Sequence, residues 1–166
     1  MASRYVIALG SNRRHGRHGA PARVIRAALD RLEGEGVHVA ARSPLIATPA
    51  LGPAGRSFVN AAAIVETALD PPVLLALLKR IEGDFGRRAG RRWGARVIDI
   101  DIILWSGGVW PPFPRRAAPG RLAVPHVAYA GRRFVLDPVM TIAPDWRDPR
   151  SGLGVRHLLA RLQAGQ

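Results

Sequence analysis

The stretch Val97-Ile98-Asp99-Ile100-Asp101-Ile102-Ile103-Leu104 sets two carboxylates into an otherwise unbroken run of β-branched and aliphatic residues. Such a run predicts a β-strand. Because successive side chains of a strand point to opposite faces, alternate isoleucines should share one apolar face while Asp99 and Asp101 emerge together on the other. The sequence therefore predicts a buried strand with an acidic pair on its second face.

This acidic pair requires a positive partner. At a rise of about 3.3 Å per residue the two carboxylates are rooted about 6 to 7 Å apart, and at an effective dielectric constant near 20 their repulsion is about 2.5 kcal/mol. Mg2+ takes one or two protein carboxylates and leaves its other positions to water and phosphate oxygens. Two carboxylates can hold one ion or bridge two, which suits displacement at phosphorus. The alternative is an edge strand with a merely solvated outer face and Arg96 as a salt-bridge partner.

The composition restricts the class of protein. A length of 166 residues fits one domain over residues 1–166. The 25 lysines and arginines exceed the 12 acidic residues, for a net charge of +13, so the partner should be anionic: nucleic acid, a membrane surface or a polyphosphate nucleotide. Zero cysteines exclude disulfides and thiolate metal sites, and no apolar run approaches the roughly 20 residues of a membrane span. We expect a soluble cytoplasmic monomer without a membrane partner.

Apolar periodicity predicts three further strands. A short run over 5–9 indicates a buried strand that ends in a Gly-Ser-Asn turn, followed by a basic stretch at 13–18 that either meets an anion or is solvated. Alternating apolar residues over 37–47 indicate at most an edge strand, with a bulge at Ser43-Pro44 because proline cannot donate to a sheet ladder. Residues 58–67 indicate a third strand, with Asn60 among the residues of one face.

Helical spacing predicts three helices, and the order of all elements indicates the fold. One helix follows Pro21, a second starts at Asp70-Pro71 and ends near Gly86, and the last covers the apolar residues from 155 to 162. Residues 105–121 predict a long irregular excursion or a short hairpin, and residues 122–138 an extended segment. The order strand, helix, strand, strand, helix, strand is the β-α-β-β-α-β arrangement of ferredoxin-like α+β sandwiches, here with C-terminal additions.

Four polar features accompany these elements. Asn60, amid apolar neighbours, needs a partner in a loop or on a ligand. Glu82 falls in the last turn of its helix, where a carboxylate is mildly disfavoured, which favours a specific partner for it. Residues 87–96 hold five arginines, which indicate a phosphate clamp, a solvated loop or an RNA-binding arm. His126, near Arg132, is either structural or a nucleotide contact.

Seven motifs taken together resemble the 6-hydroxymethyl-7,8-dihydropterin pyrophosphokinase family. They are Ala8-Leu-Gly-Ser-Asn12, Thr48-Pro-x-Leu-Gly-Pro53, Phe58-Val-Asn60, Gly86-Arg87, Arg92-Trp-Gly-x-Arg96, Asp99-x-Asp101, and Val124-Pro-His126 followed by Arg132-x-Phe-Val-Leu-x-Pro138. They follow the family's order between residues 5 and 146. The resemblance implies transfer of pyrophosphate from ATP, the co-substrate, to the pterin hydroxymethyl group, with release of AMP.

The resemblance also implies roles for individual residues. Asp99 and Asp101 would hold two Mg2+ ions, and Arg87 with Arg96 would be the principal basic residues of catalysis. The nucleotide side would comprise Glu82, Arg92, Trp93, Ile102, His126 and Arg132. The pterin pocket would comprise Thr48, Leu51, Asn60 and Phe134, with Phe134 stacking on the ring. Val127 and Ala89 depart from the family's tyrosine and arginine, which bears on ATP affinity more than on reaction type.

Two other classes compete with this enzyme. One is an RNA-binding module on a similar sandwich, favoured by the charge of +13 and the basic residues near Trp93. Strand aromatics flanked by Gly and Arg, which stack on bases in such modules, are not evident, so we do not expect a nucleic-acid partner. The other is a metal-dependent nuclease that uses the same acidic pair.

Overall fold

The computed structural model describes residues 1–48, 57–86 and 97–166. Within these ranges, a five-stranded antiparallel sheet and four helices give a mixed fold of the α+β class. The elements in chain order are β1 (Ser3–Ser11), α1 (Pro21–Gly34), β2 (His38–Arg42), β3 (Ile46–Thr48), β4 (Phe58–Thr67), α2 (Pro71–Gly86), β5 (Asp99–Trp105), a 3-10 turn (Tyr129–Gly131), α3 (Arg133–Ile142) and α4 (Val155–Ala164).

The strands lie in the order β2-β4-β1-β5, and β3 also pairs with β4. In place of the bulge predicted at Ser43-Pro44, the chain breaks there into β2 and β3 on the same side of β4, and β2 lies at the edge of the sheet as predicted. Ser43 maintains the pairing across the break: its backbone N–H donates to the Ala62 carbonyl and its Oγ accepts from the Ala62 N–H, both at 2.8 Å. The longest strands, β1 and β4, therefore form the centre of the sheet, and β5 forms an edge.

Each face of the sheet has its own core. The first core joins α1 and α2 to alternate residues of the strands, including Ile7, Ile98, Ile100 and Ile102. This confirms that the alternate isoleucines share a face. The second core joins α3 and α4 to the other face.

A register shift changes the alternation in β5. Ile7 lies opposite Ile102 but Val6 lies opposite Leu104, so one residue of β5 is bulged out. As a result Ile103 and Leu104, although adjacent in sequence, both lie in the second core. Along β5, Asp99 and Asp101 therefore come first on one face of the sheet, and Ile103 and Leu104 follow on the same face.

The predicted helix starts and ends agree with the structure. Helix α2 is capped by Asp70, whose Oδ1 accepts from the Val73 N–H at 3.2 Å. It ends at Gly86, where an added Cβ would lie only 2.8 Å from Val97 Cγ2. Gly86 and Val97 are therefore in close contact on either side of residues 87–96, and glycine is required for that approach. Residues 106–121 contain no helix or sheet strand, which agrees with the predicted irregular excursion, and Trp110 forms an isolated bridge with Val124.

The prediction of an extended segment at 122–138 is wrong for its last part, because α3 covers residues 133–138. Pro138 lies inside this helix and removes one backbone donor, which costs about 3 kcal/mol. Val135, Leu136 and Val139 are each at most 6% exposed in the second core. Burial of such side chains contributes about 1.5–3 kcal/mol each, which outweighs the cost of the proline. No helix among the described residues is long and apolar enough to cross a membrane.

Candidate active site

A row of aligned residues crosses the acidic end of the sheet. Asp99 of β5 lies opposite Gly10 of β1, and Gly10 lies opposite Asn60 of β4. Asp101 and Ala8 belong to the next row. With strands spaced about 4.8 Å apart, Asp99 and Asn60 flank the glycine at a separation of roughly 10 Å. Asp99 and Asp101 share a face, as the alternation predicted, and the pairing of the strands places Asn60 on that same face.

This end of the face is open. The side chain of Asp101 is 42% exposed, and Asp99 is also an exposed residue. Farther along β5, Ile103 and Leu104 are each 1% exposed beneath α3 and α4. The two carboxylates can therefore reach a ligand from solvent while the strand that carries them is fixed in the core.

Gly10 shapes the floor between Asp99 and Asn60. A Cβ at position 10 would lie 3.0 Å from Asn60 Oδ1, closer than side chains normally pack. Asn60 itself is 8% exposed. The Asn60 amide thus lies beside the backbone of Gly10, which carries no side chain. Sequence reasoning did not assign Gly10 a role in the site, although a glycine inside a strand is itself a sign of close approach by a ligand or another chain segment.

Thr48 and Phe58 extend this face beyond Asn60. Thr48 of β3 lies opposite Phe58 of β4, two residues from the pair formed by Ile46 and Asn60. Since the side-chain period of a strand is two, these four residues share a face. Phe58 is 45% exposed, which is unusual for a large apolar side chain. Phe58 was missed as a site residue, although its spacing from Asn60 indicates the shared face.

The outer edge of β5 is capped by two side chains of α2. The Ile100 N–H donates to Glu82 Oε1 at 2.6 Å, and Lys79 Nζ donates to the same oxygen at 2.9 Å. Lys79 Nζ also donates to the Ile100 carbonyl at 3.4 Å and lies 3.9 Å from Asp101 Oδ1. The specific partner expected for Glu82 is thus found. Lys79 was missed, because its contact with β5 depends on packing and not on spacing.

His126 lies at the same edge of β5. Its backbone N–H donates to the Ile103 carbonyl at 3.0 Å, and its Nδ1 accepts from the Ala128 N–H at 3.2 Å. The neutral imidazole therefore carries its proton on Nε2. Burial lowers the pKa of His126, and the nearby Asp101 carboxylate opposes that shift. A neutral ring with an Nε2–H donor is suited to an anionic ligand.

Arg132 and Phe134 form a pair at the start of α3. The guanidinium carbon of Arg132 lies 5.8 Å from the centre of the Phe134 ring, within the range of a cation–π contact. Phe134 is 48% exposed. The ring is therefore held on one side by a cation and is accessible to a flat ligand.

The remaining candidate residues divide into two groups. Ile102 is 3% exposed and lies in the first core, so only its backbone could contact a ligand. Five candidates lie outside the described residues: Leu51, Arg87, Arg92, Trp93 and Arg96.

The basic turn after β1 packs against the end of α2. The His18 ring stacks on Phe85 with centroids 5.1 Å apart, and His15 lies 4.9 Å from His18. Ser11 Oγ donates to the Val97 carbonyl at 2.6 Å, which ties the end of β1 to the approach of β5. The turn thus has a structural role that neither of the two expectations included.

The residues present fit a hard divalent cation in part. Among the described residues, no group of three or more His, Cys, Asp or Glu side chains is placed to hold a metal. Asp99 and Asp101 are a pair of carboxylates on an open strand face, which matches the one or two protein ligands that Mg2+ commonly takes. Oxygens from water or a phosphorylated ligand would have to complete the coordination.

An α+β sandwich with open carboxylates, a flanking lysine and histidine, and exposed aromatic rings has the features of an enzyme that handles a phosphorylated compound and a flat ring. Comparison with known proteins identifies the family. The model of the 7,8-dihydro-6-hydroxymethylpterin-pyrophosphokinase family matches residues 6–144, and the chain belongs to this family.

Individual relatives agree with this assignment. The chain is 40% identical to the 2-amino-4-hydroxy-6-hydroxymethyldihydropteridine pyrophosphokinase of Pseudomonas aeruginosa over 162 residues, 96% of this chain and 92% of the relative. The protein of the same name from Methylorubrum extorquens is 37% identical over 162 residues, 96% of this chain and 94% of the relative. The mitochondrial folate synthesis bifunctional protein of Pisum sativum is 38% identical over 138 residues, 82% of this chain but only 24% of the relative.

Proposed function

We propose that this protein transfers the pyrophosphate group of ATP to 6-hydroxymethyl-7,8-dihydropterin, giving the pterin diphosphate and AMP in folate biosynthesis. The pterin hydroxyl oxygen forms a bond to the β-phosphorus, the bond from that phosphorus to the α,β-bridging oxygen breaks, and the hydroxyl proton is released. The family match and the names of the relatives support this reaction. The observation in the structure that carries it is the aligned row of Asp99, Gly10 and Asn60 on an open sheet face.

The pterin pocket would lie over Gly10. Asn60 would offer its amide to the polar edge of the ring, and the exposed rings of Phe58 and Phe134 would contact the ring's flat surface. Thr48 shares the face of Asn60. Leu51, outside the described residues, remains a predicted member of this pocket.

Asp99 and Asp101 would hold two Mg2+ ions. When bound, the metal neutralises charge on the phosphate oxygens and fixes the nucleotide for in-line displacement. The chain's own contribution is to present two carboxylates from a strand that the cores keep rigid. Such a fixed arrangement supplies orientation without a covalent intermediate.

The nucleotide would bind on the side of β5 that carries the edge residues. His126 would donate from Nε2 to a phosphate oxygen, and Arg132 would supply a guanidinium. Glu82 would contribute through the edge of β5, where it accepts from the Ile100 N–H. Ile102, whose side chain is buried, remains a predicted nucleotide contact. Arg92 and Trp93 remain predicted nucleotide contacts, and Arg87 with Arg96 remain the predicted basic residues of catalysis.

We also propose that the sheet has the topology of ferredoxin-like proteins. If β2 and β3 are counted as one interrupted strand, the sheet order β2-β4-β1-β5 supports the β-α-β-β-α-β topology of ferredoxin-like sandwiches. A monomeric, cytoplasmic protein remains our prediction.

A coupled assay tests the reaction. The protein is incubated with ATP, Mg2+ and 6-hydroxymethyl-7,8-dihydropterin, and AMP and the pterin diphosphate are measured together. AMP should form in equal amount with the pterin diphosphate, and only when the pterin is present. AMP formed without pterin, or no product with all three components, would contradict the proposal. The RNA-binding module and the nuclease are supported by neither the family match nor the relatives.

A further inference from the structure

The basic side chain nearest to Asp101 among the described contacts is chemically unlike the other basic residues of the chain. The sequence contains 24 arginines and a single lysine, Lys79. Its Nζ lies 3.9 Å from Asp101 Oδ1. In a chain that otherwise uses arginine throughout, the chemistry of an ammonium group at this position needs a reason.

The Lys79 ammonium group lies beside Asp101, but its hydrogen bonds are made to other groups. Nζ donates to Glu82 Oε1 at 2.9 Å and to the Ile100 carbonyl at 3.4 Å, both shorter than its distance to Asp101. Glu82 Oε1 in turn accepts from the Ile100 N–H at 2.6 Å. The charge is therefore fixed to the edge of β5, while Asp101 can be engaged by another cation without Lys79 losing its hydrogen bonds.

The chemistry of lysine fits this arrangement better than that of arginine. A guanidinium presents a planar fork that pairs with both oxygens of a carboxylate, whereas an ammonium is a compact point charge. At 3.9 Å it attracts Asp101 and leaves the carboxylate's other oxygen unoccupied by Lys79. A divalent cation on Asp101 would then have a like charge close by, and their repulsion would weaken its binding. A cation that arrives with a polyphosphate brings negative charge that offsets the repulsion.

We propose that Lys79 is a positioning residue that acts as a resident counter-charge for Asp101, so that the site binds free divalent metal weakly and binds metal together with the nucleotide. This inference rests on the proposed metal site at Asp99 and Asp101. Lys79 neutralises part of the acidic cluster when the site is empty. It also favours loading of metal and nucleotide as one unit.

Charge and shape at position 79 can be separated by two substitutions. Lys79→Gln removes the charge but keeps an N–H donor, on a side chain one methylene shorter. Lys79→Arg keeps the charge. The matched control is Arg80→Gln, which removes one positive charge from the next residue of α2, where Arg80 pairs with Glu35 at 2.8 Å.

Mn2+ is the probe, titrated into the protein without nucleotide and followed by the electron paramagnetic resonance signal of the free ion. Lys79→Gln should bind Mn2+ about three- to tenfold more tightly than the unmodified protein. Arg80→Gln should stay close to the unmodified protein, and Lys79→Arg should bind Mn2+ no more tightly than the unmodified protein, because it keeps the charge and can occupy both oxygens of Asp101. With a nonhydrolysable ATP analogue present, the advantage of Lys79→Gln should disappear.

Asp101→Asn distinguishes failure of the inference from failure of the proposed site. If Asp101→Asn weakens Mn2+ binding but Lys79→Gln binds like Arg80→Gln, the metal site stands and the role of Lys79 is overturned. If Asp101→Asn leaves Mn2+ binding unchanged, the proposed metal site and the inference both fail.

The single lysine permits a second, structural measurement. Reductive methylation with 13C-formaldehyde keeps the positive charge and labels only Lys79 and the amino terminus. The Lys79 methyl resonance should move when Mg2+ is added, and this movement should be absent in Asp101→Asn. A resonance that does not respond to Mg2+ at concentrations where Asp101-dependent binding occurs would overturn the inference.

Discussion

One face of the sheet has two halves with opposite properties. In the covered half, Val6, Ile64 and Leu104 are at most 4% exposed beneath α3 and α4. In the open half, the same strands present Gly10 and Asp99 instead. Both halves share one backbone, so the difference arises from the side chains.

Along β1, side-chain size decreases from the covered half to the open half, since the residues of this face are Val6, Ala8 and Gly10. Along β4, Ile64 and Ala62 are buried in the covered half, and Asn60 and Phe58 follow in the open half. Because the β1 side chains become smaller, a helix has no apolar side chains to pack against at Gly10. The backbone there is left open to a ligand. The covered half should therefore determine stability, and the open half should determine activity.

The strongest test of the comparison is to neutralise the acidic pair. Asp99→Asn or Asp101→Asn should lower turnover about a thousandfold or more, because each removes a charge that fixes the reacting groups. The unfolding free energy should not fall, since the substitution also relieves carboxylate repulsion. Steady-state kinetics and urea unfolding measure the two effects.

A matched carboxylate controls for the loss of one negative charge. Asp145→Asn alters a side chain that is 87% exposed and paired with Arg156 at 3.1 Å. Its turnover should equal that of the unmodified protein. Normal turnover in either Asp99→Asn or Asp101→Asn would remove the open half from the catalytic site.

A substitution in the covered half should have the opposite effect, on stability and not on turnover. Leu104→Ala removes a side chain that is 1% exposed, and it should lower the unfolding free energy by about 2–5 kcal/mol. Turnover per folded molecule should be unchanged. Urea denaturation and active-site titration are the measurements. Lost turnover at undiminished stability would mean that the halves are not separate.

The boundary between the halves shows what the sequence could predict. Alternation in β5 correctly placed the isoleucines and the acidic pair on opposite faces, because burial of one face fixes the register. It could not predict the shift that brings Ile103 and Leu104 to the same face, since that depends on the pairing of β5 with β1. Helix α3 was missed because Pro138 is a local breaker, while the burial that offsets it is tertiary.

The candidate site was also predictable only where the signal lies within one element of the chain. Asn60 and Glu82 were singled out because each is polar where the local pattern disfavours it, and Glu82 does have a specific partner. Lys79 meets Asp101 only because α2 packs beside β5. Spacing within one element carries no information on such contacts.

A smaller effect is expected from a substitution at Gly10, which lies between Asp99 and Asn60 in the open half. Gly10→Ala would place a Cβ 3.0 Å from Asn60 Oδ1. We expect pterin affinity to fall about tenfold, which corresponds to about 1.4 kcal/mol. Calorimetric titration measures it. Gly34→Ala is the control, because its added Cβ would meet nothing within 4 Å. Equal pterin affinity in both variants would show that the floor is not a ligand surface.

The exposed aromatic ring at the start of α3 should have a similar or weaker effect. Phe134→Ala should lose about 0.5–1.5 kcal/mol of ring stacking beyond lost burial, or about twofold to tenfold in pterin affinity. Nucleotide affinity should change little. Phe113→Ala, which removes a ring that is 95% exposed, is the control. A loss of nucleotide affinity instead would assign Phe134 to the other ligand.

The smallest expected effect is at His126, whose N–H contacts the Ile103 carbonyl at the boundary of the two halves. Burial lowers the pKa of His126 below its ordinary value of 6.5. Below pH 6.5 the unfolded chain therefore binds more protons at this residue than the folded protein does. Stability rises with pH wherever the unfolded state binds more protons. The contribution of His126 is thus fully present above pH 6.5 and is lost as the pH falls through the folded pKa.

His126→Gln removes this dependence. The unfolding free energy of the variant should decline less steeply on acidification than that of the unmodified protein, measured by urea unfolding at a series of pH values. Proton NMR identifies the His126 resonance by its absence in the variant and follows its titration directly. A parallel decline in both proteins, or a His126 resonance that titrates above pH 6.5, would contradict a buried neutral imidazole at this boundary. A shallower decline would show that the covered half extends to the residue proposed to meet the nucleotide, and that its neutral state is set by packing.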